Sequence, residues 1–221
     1  MNDVIVVRGG GDLATGTIHR LWSAGLRVAV LETGAPAAIR RQVCLSEAVY
    51  DGPATVEGLT AVRVDSIAEM EAVWRNNRVP LLVDPEARSL QLIRPAVVVD
   101  AILAKRNLGT SREMAPLTIG LGPGFEAGND VDLVIETLRG HNLGRVIRSG
   151  CASPNTGTPG SIGGYASERV LRAPAAGVIR TVCKIGDLVS AGAAPAGFRR
   201  WTPAQGWSVP VIRSLPRSVR R

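Results

Sequence analysis

Aromatic residues, histidines and cysteines are all scarce in this chain, and each shortage narrows what it can be. Phe, Trp and Tyr make up 4% of its 221 residues, so a core has to be built mainly from Val, Leu, Ile and Ala. Two histidines and three widely spaced cysteines (Cys44, Cys151, Cys183), with no C-x-x-C pair, support neither a zinc site nor a disulfide scaffold. That cysteine usage suits a reducing compartment, and the expected location is cytoplasmic. No apolar run approaches the roughly 20 residues of a membrane span, and the first residues open a strand rather than a signal peptide. Acidic residues are absent from one stretch, 198–221, which holds six arginines. The formal net charge is +7; six of the 26 basic residues lie in that stretch, leaving 20 against 19 acidic ones. The body is near neutral, so neither nucleic acid nor a membrane is expected as a partner, and 198–221 reads as a basic, disordered tail.

What the chain does have is concentrated at its start. Val4 to Val7 is a β-branched run, and it leads into Gly9-Gly10-Gly11-Asp12-Leu13-Ala14, which fits G-x-G-x-x-A. An amphipathic segment, Thr17 to Ala24, is closed by Gly25. A second apolar run, Val28 to Leu31, ends on Glu32. Strand, glycine turn, helix, strand and acid in this order are the layout of a dinucleotide-binding unit. Gly9 permits a sharp exit from the strand. Gly11 clears the way for a phosphate to approach backbone, and Ala14 lets the helix pack close. The helix N-terminus offers N–H groups to an anion, and Glu32 offers oxygens to a ribose. The candidate cofactor-binding residues are therefore Gly9, Gly10, Gly11, Asp12 and Glu32, with Arg40 and Arg41 just beyond. Asp12 departs from the pattern, since a carboxylate in the turn repels a pyrophosphate unless it points away or meets a metal.

Further strands are predicted at 60–64, 79–84 and 97–101, and a helix over 66–76 opens with the capping box Ser66 and Glu69. Several strands end in a polar residue, which places Asp84, Asp100, Lys105 and Arg106 as candidates for one cleft. Leu117 to Gly128 is a strand entering a glycine-rich loop, and it is not a Walker A loop because no G-K-[ST] follows. Glu136, Arg139, His141 and Asn142 then crowd into a loop bounded by glycines, a density of polar groups that points to a site. Lys105, Arg139 and His141 are the catalytic candidates, and no metal ligands are assigned. Cys151, with no base beside it, reads as a buried or idle thiol. The fold class is α/β: a Rossmann-like nucleotide-binding domain over 1–110, a β-rich domain over 111–197, and the tail 198–221.

The stretches 6–16, 38–41, 46–52, 83–85, 119–125, 136–147 and 154–157 together resemble the YqeB family, over roughly residues 4–192. The resemblance implies an accessory protein that matures, or supplies cofactor to, a selenium-dependent molybdenum hydroxylase of the xanthine-dehydrogenase kind. Its ligand would be a nucleotide or the molybdenum cofactor, and its partners the hydroxylase subunits or other maturation factors. It implies no defined reaction, so whether the chain is an enzyme stays open, and a homo-oligomer is compatible with it. Residues 170–179 and 184–192 are similar to half of a biotinyl/lipoyl barrel-sandwich, without the carrier lysine. The missing second half predicts a chain shortened or frame-shifted near Gly192. Two alternatives stand beside this reading: a NAD(P)-dependent oxidoreductase, and a docking protein that binds nothing small.

Overall fold

In the computed structural model, the structure describes residues 3–171, 177–190, 196–200 and 215–216, together with Ala175 and Ala193. The chain divides into two units, Met1–Asn155 and Thr156–Arg221.

The first unit is built on one sheet. Its elements in order are β1 (Val4–Arg8), α1 (Asp12–Ser23), β2 (Arg27–Glu32), β3 (Ala54–Val56), β4 (Leu59–Val64), α2 (Met70–Arg75), β5 (Val79–Val83), α3 (Leu90–Ile93), β6 (Val97–Asp100), β7 (Leu117–Leu121), β8 (Glu126–Ala127), β9 (Leu133–Ile135), β10 (Val146–Ile147) and β11 (Gly150–Cys151). Nine of the strands form a sheet in the order β10-β9-β7-β6-β1-β2-β5-β4-β3. The seven from β9 to β4 are parallel, and the outermost pairs β9–β10 and β3–β4 are antiparallel. β8 and β11 form a separate two-stranded ribbon.

The apolar run of β1 becomes a central strand because it can bury both faces. Ile5 and Val7 face one layer with Ala14, Ile18, Leu45 and Val49. Val4 and Val6 face the other, with Met70, Leu90 and Ile93. This is the period-2 alternation of a strand covered on both sides, as parallel sheets require. Over 66–76 the chain forms a tight 3-10 turn, Ile67–Glu69, followed by α2. The Ser66 hydroxyl donates to the Glu69 carboxylate (2.6 Å) instead of accepting from the Glu69 backbone N–H, so the predicted box closes between side chains.

The winding reverses at β1. The chain leaves β1 for β2, β4 and β5 on one side, then returns to lay β6 and β7 on the other. The carboxyl ends of β1 and β6 are neighbours there, with Arg8 in register with Asp100.

The expected boundary near residue 110 does not divide the sheet. β7 pairs with β6, and β9 and β10 extend the sheet further, because Leu117–Leu121 is apolar enough to bury as another parallel strand. The unit therefore continues to Asn155. The glycines of 120–124 make this packing possible. A Cβ on Gly120 would stand 2.5 Å from the Phe125 ring, and one on Gly124 would stand 2.6 Å from the Arg106 backbone nitrogen.

In the second unit β12 (Val170–Leu171) pairs antiparallel with β15 (Leu215–Pro216), and β13 (Gly177–Thr181) with β14 (Ala196–Arg200). β13 is thus paired along one edge by β14. Residues 198–200 and 215–216 of the basic tail are strand, not disordered chain, because β13 and β12 offer them backbone partners. Gly192 and the rest of the tail lie outside the described residues.

Gly124 has φ +114 as well as a backbone neighbour where a side chain would go. The variant Gly124→Ala should therefore unfold at lower denaturant, by about 2–4 kcal/mol, in a urea titration followed by circular dichroism.

Candidate functional site

In a parallel sheet the polar residues after each strand collect at one edge, and here the loops after β1, β2, β5 and β6 meet there. Gly9 turns the chain out of β1 with φ +97, and its N–H donates to the Leu31 carbonyl (2.8 Å). A Cβ at Gly9 would stand 3.1 Å from the Ala101 carbonyl and from Ile102, so the loop after β6 presses directly on the turn. Gly10 is held just as closely. Its carbonyl accepts from the Ser46 N–H (2.9 Å), and a Cβ would stand 3.0 Å from that nitrogen. Gly11 differs: its backbone is ordinary (φ −66, ψ −178), and a Cβ there would meet nothing within 4 Å. It is the N-cap of the twelve-residue α1, which has no side-chain cap.

Glu32 closes onto the turn. Its two oxygens accept from the Gly10 N–H (2.7 Å) and the Thr33 N–H (2.7 Å). Burial pushes its pKa up, against the lowering effect of those two bonds. The carboxylate expected to face a ribose thus already braces the glycine turn, with lone pairs to spare on each oxygen. Asp12 is ion-paired with Arg40 from the loop after β2. Arg41 opens the next 3-10 turn, Arg41–Val43, and its charge holds down the pKa of Glu47 against the larger, raising effect of burial.

Between β1 and β6 lies a charge network that reading the sequence did not find. Arg8 is 2% exposed and Asp100 1%, and Arg8 Nη1 stands 3.5 Å from Asp100 Oδ2. Arg8 also donates to Thr110 Oγ1 and to the Pro85 carbonyl (3.1 Å), while the Thr110 hydroxyl donates to Asp100 (2.5 Å). Asp100 is therefore spent on structure and not open to a cleft. Asp84 is similarly used, accepting from the Arg88 and Ser89 N–H groups (3.1 and 2.7 Å). Burial raises its pKa, but those bonds outweigh burial and leave it low. The signal that could have revealed the network was opposite charges at the ends of two buried strands.

The remaining candidates are spread along the edge. Lys105 and Arg106 are exposed on the loop after β6, where Leu103 and Lys105 take left-handed backbone (φ +58 and +64). Arg139 and His141 are exposed in the β9–β10 hairpin, which begins three strands from β1. At the usual strand spacing that is about 14 Å from the glycine turn. The hairpin's density of polar groups has a structural component: the buried Glu136 accepts from the Leu138 and Ser153 N–H groups (2.7 and 2.8 Å) and ties its base together. The structure brings Gly9, Gly10, Gly11, Asp12, Glu32 and Arg40 into one cluster, with Arg41 beside it and Lys105 one loop away. It does not bring Arg139 and His141 to them. Among the described residues no three His, Cys, Asp or Glu side chains gather as a metal-binding group, and no helix is long and apolar enough to cross a membrane.

A large, mostly parallel sheet with a glycine turn at its winding reversal makes this an α/β protein with its candidate site at the carboxyl edge. Over 191 residues the chain is 52% identical to a protein of Escherichia coli (strain K12) described as "Uncharacterized protein YqeB". That match supports the YqeB family read from the motifs. It covers 86% of this chain and 35% of the relative, so the chain spans about a third of that protein's length. No protein-family model matches the chain, and no solved structure matches it.

Two outcomes test this geometry. Cys44 is 2% exposed and its thiol donates to the Arg40 carbonyl (3.0 Å). Burial first, then the charges of Asp12 and Glu47, push its pKa up to about 12. In native protein at pH 8 iodoacetamide should label the exposed Cys151 and spare Cys44 until the protein is unfolded, as read by peptide mass spectrometry. Asp100→Asn leaves Arg8 buried without its counter-charge and should cost about 3–5 kcal/mol of stability in a denaturant titration. Arg8→Met combined with Asp100→Leu should recover much of that loss.

Proposed function

We propose that the carboxyl edge of the first unit binds the phosphates of a nucleotide, and that the chain is an accessory protein in the maturation of a selenium-dependent molybdenum hydroxylase. One observation carries the binding reading. At Gly11 alone of the three turn glycines the Cβ position is open, directly in front of a helix N-terminus with no side-chain cap. A phosphate suits that space, because the first N–H groups of a helix lack partners within it and the helix dipole favours negative charge. The order β7-β6-β1-β2-β5 around the turn suits a Rossmann-like reading of the sheet, in which ligands sit at the point where the winding reverses. The residues present fit the nucleotide end of molybdenum cofactor, with Gly9 to Gly11 and the start of α1 on phosphate. Bound there, that group would supply the metal centre that the hydroxylase needs. The maturation role itself rests on the family motifs, and on an edge whose bases, Lys105 and Arg106, make no ion pair among the described residues.

A thermal-shift titration with NAD, NADP, ATP, CTP, GTP and molybdopterin nucleotides tests the binding reading. A ligand at about 100 times its Kd adds about 2.7 kcal/mol to stability, a rise of about 5–10 °C for a domain of this size. The rise should vanish in Gly11→Val, a change whose Cβ meets nothing within 4 Å in the free protein. If no ligand in the set raises the melting temperature, the nucleotide reading is overturned.

A further inference from the structure

We propose that Asp12 and Arg40 form an exchangeable latch over the glycine turn: Asp12 holds Arg40 in the free protein, and a multiply charged phosphate takes Arg40 from it. The inference rests on the nucleotide reading of the turn and names the ligand class, a pyrophosphate-bearing molecule rather than a singly charged anion.

The parts are built for exchange. The Asp12–Arg40 contact joins the first residue of α1 to the loop after β2. The Arg40 side chain is 63% exposed and that of Asp12 29%, so water screens the pair and it breaks easily. The backbone of Arg40 is anchored while its side chain reaches into solvent. Its carbonyl accepts from the Cys44 thiol (3.0 Å) and the Val43 N–H (3.0 Å). The same loop is pinned further back where the Tyr50 hydroxyl donates to the Pro36 carbonyl (2.7 Å).

The charges at the turn set the requirement. Two carboxylates, Glu32 and Asp12, border it, and Arg40 is the base that contacts one of them. The charge of Arg41 acts on Glu47 instead. A singly charged anion gains no more from Arg40 than Asp12 does, and it also meets the repulsion of both acids. A pyrophosphate brings more charge and a planar-fork partner for the guanidinium, so it can win the exchange. Ser46, at the same turn and 1% exposed, has a hydroxyl with no partner among the described residues.

Calorimetric titration of the full chain with inorganic pyrophosphate, and with inorganic phosphate for comparison, tests the latch. Asp12→Asn should bind pyrophosphate about tenfold more tightly than the natural chain, the scale of a charge effect at a helix terminus. Arg40→Gln should bind it about tenfold more weakly. Most of the gain from Asp12→Asn should disappear when Arg40→Gln is also present, since the gain comes from releasing Arg40. An equal gain in both backgrounds means simple charge repulsion and overturns the latch. So does weaker binding by Asp12→Asn when Mg²⁺ is present, which makes Asp12 a metal ligand. If nucleotides raise the melting temperature yet Asp12→Asn changes nothing, the latch fails and the nucleotide site stands. If neither pyrophosphate nor any nucleotide binds any variant, both fail.

Discussion

Everything at the carboxyl edge depends on how closely the chain packs around Gly9. The strand before it is buried along its whole length, and the loop after β6 stands where its side chain would be. A left-handed glycine is the residue that lets β1 turn away under that loop. Because the turn is tight, Gly10 can lie against Ser46, and α1 can start at once and bury Ala14 and Ile18 against the sheet. Loosening this contact would move the helix, the acid at the end of β2 and the loop that holds Lys105 together.

Buried charge reinforces the same place. Arg8 and Asp100 end neighbouring strands, and in that setting each needs the other, since one alone would be an uncompensated charge out of water. Through Thr110 and the Pro85 carbonyl the pair also fixes the loops after β6 and β5. The edge thus has a rigid layer beneath and a solvent-facing layer above. The buried layer sets where the backbone goes. The exposed layer, with Lys105, Arg106 and the solvent-facing Asp12–Arg40 pair, is where side chains can meet something else.

Closeness to the sheet centre separates the candidates. The glycine turn and Glu32 lie at the winding reversal, bonded to each other. Arg139 and His141 lie on an outer hairpin, whose base is tied together by Glu136, a buried carboxylate held by backbone N–H groups. Its pKa is low because those bonds together overcome burial, which acts the other way. A polar cluster in sequence can therefore be one anchoring acid surrounded by exposed groups, rather than a constellation built for chemistry.

The local pattern of residues alone determined the glycine turn, the helix after it, the strand ending on Glu32 and the parallel α/β character. Each of these follows from period-2 or period-3.6 spacing and from glycine's freedom at positive φ, which are properties of short stretches. The YqeB motifs were legible for the same reason, as short runs of residues in a set order. Three things were decided only by the tertiary structure: that the sheet runs on through β7, β9 and β10, that Arg8 and Asp100 neutralise one another, and that Asp12 is occupied by Arg40. Each depends on which strands become neighbours and which loop crosses which turn. Those pairings are chosen by the burial of whole faces, and no single stretch contains that information.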